Sequence, residues 1–94
     1  MLGLMQQQNL LISDMIEFAE KHHGDTDIVS RRVEGDMHRS SWATIAARSR
    51  QVANALDAWP IPVGERVATL AWNNHRRLKI WFAVSGGGLV CHTL

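Results

Sequence analysis

Residues 66–94 constrain the fold more than any other part of the chain. "RVATLAW" (66–72) is almost continuously apolar, and "LVCHTL" (89–94) returns to the same character. Such runs suit strands buried on both faces, as parallel sheets require. Between them, Asn73 or Asn74 can cap a helix that carries Leu78, Trp81, Phe82 and Ser85 at i, i+3, i+4 and i+7. Gly86, Gly87 and Gly88 end that helix. Strand, helix and strand in this order predict a βαβ unit with a right-handed crossover.

The preceding residues read as helix, hairpin, helix. Leu11, Met15, Phe18, Ala19 and His22 form one face of a helix over residues 10–23. Gly24 follows as a residue suited to the left-handed conformation that ends many helices, and His22 and His23 suit the negative end of the helix dipole. "DIVSRR" and "MHRSS" flank "VEGD", a pattern expected of a short β-hairpin. Ser41 is an expected N-cap for a helix over 42–58, with Trp42, Ile45, Ala46, Ser49, Val52, Ala53 and Leu56 on its apolar face. Pro60 disfavours α geometry at Trp59 and stops it. The fold class is α/β: helix, β-hairpin, helix, then βαβ, with no internal domain boundary over residues 1–94.

Ninety-four residues are few for closing a self-sufficient core. The formal net charge of +1 gives no case for nucleic acid or an anionic membrane surface. Cys91 is the only cysteine, so no internal disulfide is possible, and a reducing compartment is expected. "MLGLMQQQNLLI" lacks the basic start of a signal peptide. No apolar run reaches the roughly 20 residues of a membrane span. A cytoplasmic location is the expectation.

Candidate chemistry is sparse. The glycine run follows a helix and precedes a strand, whereas a phosphate-binding loop follows a strand and opens a helix. His22 and His23 are adjacent and diverge around the helix, His38 and His75 lie in separate elements, and no zinc-type spacing occurs. Cys91 and His92 are neighbours on a strand and point to opposite faces, so they cannot act as nucleophile and base. Arg31-Arg32 and Arg76-Arg77-x-Lys79 read as solvated faces. Positive charge in a first helical turn is nevertheless a misfit that would also suit an acidic partner. The four tryptophans fall at core or sheet positions rather than beside the arginines, which gives little support for stacking on single-stranded nucleic acid.

From Leu10 onward the chain resembles the N-terminal segment of the adenylate-forming fatty-acyl-CoA ligases, the AMP-binding acyl-CoA synthetase family. "LLISDMIEFAEKHHGDTDIVSRRVEGD", "ARSRQVANALDA" and "GERVATLAWNNHRRLKIWFAVSGGGLVCHTL" carry the resemblance. It implies an incomplete part of the family's large N-terminal α/β domain, and a chain that stops where complete members continue. The expectation is therefore a truncated product or fragment. Complete family enzymes take a fatty acid, ATP with Mg, and CoA. The acid becomes an acyl-adenylate, and its acyl group then passes to CoA. The resemblance places none of the family's catalytic motifs on this sequence: not the Pro-Lys-Gly phosphate loop, the Tyr-Gly-x-Thr-Glu segment, the ribose-binding Asp or the catalytic Lys. No residue is assigned a catalytic, cofactor-binding or metal role, and the chain by itself is expected to be inactive. Trp59-Pro60 and Gly87 depart from the family pattern, which favours Leu-Gly and Met there. The alternative expectation is a small freestanding module that pairs, or self-associates, through open sheet edges.

Overall fold

The computed structural model describes residues 3–94. Its elements are α1 (Ile12–His23), β1 (Asp27–Arg31), β2 (Met37–Ser41), α2 (Trp42–Asp57), β3 (Arg66–Thr69), α3 (His75–Gly86) and β4 (Val90–Thr93). This is the expected order of helix, hairpin, helix and βαβ.

The first helix has no side-chain N-cap, and only Asp14 in its first turn and Lys21, His22 and His23 in its last complement the dipole. A short helix of this kind depends on tertiary packing. The packed side is not the expected one. Ile16 is buried and Ile12 half-buried against the core, whereas Leu11, Met15 and Phe18 stand more than half exposed. The two apolar rows are offset by one residue, or about 100°, so periodicity alone did not separate them. Gly24 also departs from expectation. It is right-handed (φ −55°, ψ −36°), and a Cβ there would lie 2.7 Å from the Glu20 carbonyl oxygen. Glycine is required by close approach rather than by a left-handed turn. The Ala43 N–H donates to the Gly24 carbonyl at 3.0 Å, and the Trp42 N–H donates to the Thr26 carbonyl. Two of the unpaired donors that open α2 are thereby satisfied.

The hairpin pairs antiparallel, from Asp27 opposite Ser41 to Arg31 opposite Met37. Gly35 takes φ +96° at its turn, the position at which a three-residue hairpin loop needs a left-handed residue. Ser41 caps α2 as expected, accepting from the Thr44 N–H at 3.3 Å. Ile45, Ala46 and Ser49 of α2 are buried. Ile16, Ile45, Ala46 and Phe82 form the core, with Trp42, Leu78, Trp81 and Ile28 packed against it.

Strands β3 and β4 are parallel, Arg66 opposite Val90 through Thr69 opposite Thr93, as the βαβ reading requires. Burial on both faces is not observed. The strand ends at Thr69 rather than Trp72, and Leu70 and Trp72 are 85% and 76% exposed. Val67 and Cys91 are half-buried, and the alternate residues Arg66, Ala68, Val90 and His92 are exposed. Helix α3 packs on this two-stranded sheet, whereas α1 and α2 pack on α3 and on each other. One sheet face is covered and the other is open.

Candidate functional site

A cleft lies beyond the carboxyl ends of β3 and β4, at the N-terminus of α3. It holds about 420 Å³ between Ile28 and Ser30 of the hairpin, Asn73, Asn74, His75, Arg77, Leu78, Trp81 and Thr93. Clefts in this place are where parallel α/β sheets usually receive ligands.

The local sequence closes this helix start to anions. Asn74 is extended, and its side-chain oxygen accepts from the Arg76 and Arg77 N–H groups at 3.0 and 3.3 Å. The Leu78 N–H donates to the Asn74 carbonyl. The remaining first-turn donor, the His75 N–H, reaches across to Ser30 Oγ at 3.2 Å. The free N–H groups of His75, Arg76 and Arg77, which could have held a phosphate, are therefore all engaged within the chain. At the other end of α3, the Gly87 and Leu89 N–H groups both donate to the Val84 carbonyl, and Gly88 turns the chain at φ +78°. The glycines end the helix, as the sequence order implied.

Ser30 Oγ also lies 3.1 Å from His75 Nδ1, and the His38 ring stacks on the His75 ring at 3.6 Å, nearly parallel. His75 is 5% exposed. Burial first, then the nearby positive charges of His38, Lys79, Arg76 and Arg32, hold its pKa below the ordinary histidine value. A hydroxyl beside a neutral imidazole resembles a nucleophile and base. Here, however, no carboxylate orients the ring, and the hydroxyl is already committed to a helix N–H. Its role is to dock the hairpin on α3. Sequence reasoning kept His38 and His75 apart because they are in separate elements; only the hairpin's placement on α3 brings them together.

The basic clusters prove to have partners within the chain. Arg76 binds Glu34 through two hydrogen bonds of 3.0 and 3.3 Å, and Arg32 binds Asp36 through two of 2.6 and 2.7 Å. These guanidinium groups hold the Glu34 and Asp36 carboxyls below the usual carboxylate range. The misfit charge at the start of α3 thus fastens the hairpin turn. Arg77 folds back on Asn73 Oδ1 at 2.7 Å. Lys79 differs from the expected solvated face: it is half-buried. Cys91 is half-buried and His92 exposed, opposite Val67 and Ala68 respectively, so the strand keeps them apart. His22 packs against Phe18 at 4.5 Å on the outer side of α1. Among the described residues no three His, Cys, Asp or Glu side chains converge as a metal site would need, and no helix is long and apolar enough to cross a membrane.

No protein-family model matches the chain. Individual relatives do. The 3-methylmercaptopropionyl-CoA ligase of Ruegeria lacuscaerulensis is 47% identical over all 94 residues, and the medium-chain-fatty-acid–CoA ligase of Ectopseudomonas oleovorans is 42% identical over the same span. The long-chain-fatty-acid–CoA ligase of Thermus thermophilus is 39% identical over 89 residues. The chain spans only 16–17% of the length of these proteins. Along essentially its whole length the sequence therefore matches acyl-CoA ligases, of which it spans about one-sixth.

Proposed function

We propose that this chain is a structural segment of the large N-terminal domain of a fatty-acyl-CoA ligase, supplying packing surface rather than catalytic groups. The observation that carries this reading is identity of 39–47% along essentially the whole chain, set against coverage of about one-sixth of each relative. The open sheet face supports it. Leu70, Trp72 and Leu94 are at least two-thirds exposed around strands whose composition suits burial on both sides. The whole enzyme would activate a fatty acid with ATP and Mg to an acyl-adenylate and pass the acyl group to CoA. No reactive constellation for those steps stands among the described residues.

The test is complementation. The Thermus thermophilus ligase is expressed without its matching segment, with and without this chain supplied separately. The chain alone gives no fatty-acid-dependent ATP–pyrophosphate exchange, the shortened ligase alone gives little, and the two together recover it. Exchange by the purified chain above a heat-killed control overturns the reading. The open edges of β3 and β4 favour a second reading, a module that pairs with a partner sheet. A compact, cooperatively melting monomer that fails to complement would favour it.

A further inference from the structure

A second, smaller cleft of about 190 Å³ lies between β2, α2 and α3. Its wall includes His38 and Ser40 from β2, Thr44 and Arg48 from α2, and His75 and Lys79 from α3. Arg39 stands at its rim, 4.0 Å from Asp27. None of the lining residues is acidic.

We propose that this cleft binds a compact oxyanion, namely a phosphoryl group held between Lys79 and Arg48. Three observations carry the proposal. Lys79 and Arg48 come from different helices, and neither has a carboxylate partner; Arg48 donates only to Gln51 Oε1, at 3.2 Å. Two polar atoms in the same wall, His38 Nδ1 and Ser40 Oγ, are shielded from solvent and have no hydrogen-bond partner, which a buried polar group ordinarily finds. The space exceeds that of several waters at about 30 Å³ each, enough for a tetrahedral anion. Burial, and then the charges of Arg48 and Arg76, push the Lys79 pKa down. An anion between the cations reverses the electrostatic part of that effect. Thr44 and, after a rotation about its χ1, Ser40 would supply hydroxyl donors beside the two cations.

The site is independent of the ligase reading, because it requires no catalysis and uses no residue of the cleft at the α3 N-terminus except the shared His75. Its test exploits the chain's lysine content: Lys21 and Lys79 are the only two. The full chain is acetylated with trace acetic anhydride at constant ionic strength, and labelling of each lysine is read by mass spectrometry. Inorganic phosphate, AMP and adenosine are added in separate arms. Phosphate and AMP are expected to slow Lys79 labelling several-fold and leave Lys21 unchanged, while adenosine does nothing. Protection by AMP but not by phosphate would place the phosphoryl group within a larger ligand and still support the site. Arg48→Gln, on the exposed side of α2, should remove the protection while leaving the circular dichroism spectrum unchanged. Equal slowing of both lysines, no slowing of Lys79, protection by adenosine, or undiminished protection in Arg48→Gln would each overturn the proposal.

Discussion

Truncating Ile45 to alanine tests where the stability of this chain resides. Ile45 is 1% exposed in the helical core, beside Ile16, Ala46 and Phe82. The substitution deletes three buried carbons. At about 0.8 kcal/mol per buried CH₂ the transfer loss is near 2.4 kcal/mol. The residual cavity carries the cost of such isoleucine truncations to about 2–5 kcal/mol. A domain of this size holds about 5–15 kcal/mol in total, so Ile45→Ala should remove a large share of it. The matched control is Leu70→Gln, at a side chain already 85% exposed, for which the expected change is within about 0.5 kcal/mol. Urea unfolding followed by the fluorescence of Trp42 and Trp81, both packed against the core, reads the two variants side by side. If Leu70→Gln costs more than about 1 kcal/mol, or Ile45→Ala costs no more than Leu70→Gln, the helical core is not what holds the chain.

Other expectations follow from particular contacts. Ser30→Ala leaves the His75 N–H and Nδ1 without partners beside a buried ring, and should cost about 1–3 kcal/mol in the same assay; a change near zero would mean water replaces the hydroxyl. His75 titrates below its unfolded value, so its contribution to stability is present above about pH 6.5 and is lost as pH falls through the depressed folded value; a urea midpoint that rises on acidification over that interval would contradict the sign. Gly24→Ala would ordinarily stabilise a right-handed position by reducing unfolded-state freedom, but here the added Cβ would sit 2.7 Å from a backbone carbonyl, and a lower thermal midpoint is expected. Sedimentation across a concentration series, with a dye for apolar surface, should show self-association that weakens in the Leu70→Gln, Trp72→Gln double variant; a dye-silent monomer at all concentrations would refute this.

Local signals made most elements legible. Ser41 before Trp42, Asn74 before His75, Gly35 in the hairpin turn and Pro60 after α2 each impose a conformation on their own few residues, and each boundary stands close to where those residues place it. What failed depended on neighbours distant in sequence. Leu11, Met15 and Phe18 keep a helical period as good as that of Ile12 and Ile16, and only Phe82 and Ile45, from two other helices, decide which row is buried. The same limit hid the Ser30–His75–His38 cluster and the Arg76–Glu34 pair, since the hairpin must dock on α3 before either exists.

The strands are the informative failure. Residues 66–72 and 89–94 have the composition of a sheet interior, but α3 covers one face and the other faces solvent. Apolar content states what a strand is suited to touch, not what is present to touch it. The helices that might have covered the second face instead bury Ile16, Ile45 and Ala46 against Phe82 of α3. Moving them to cover Leu70 and Trp72 would expose that core. The open face therefore follows from a shortage of covering layers rather than from weak strand pairing, for the β3–β4 register is intact over all four residue pairs. A polypeptide that supplies a covering layer should bury Trp72 and Leu94 without disturbing the helical core. In the complementation experiment this is read as loss of dye binding with α3 still protected in hydrogen exchange. Loss of dye binding accompanied by deprotected α3 amides would instead mean that the helices had left their own core to reach the sheet.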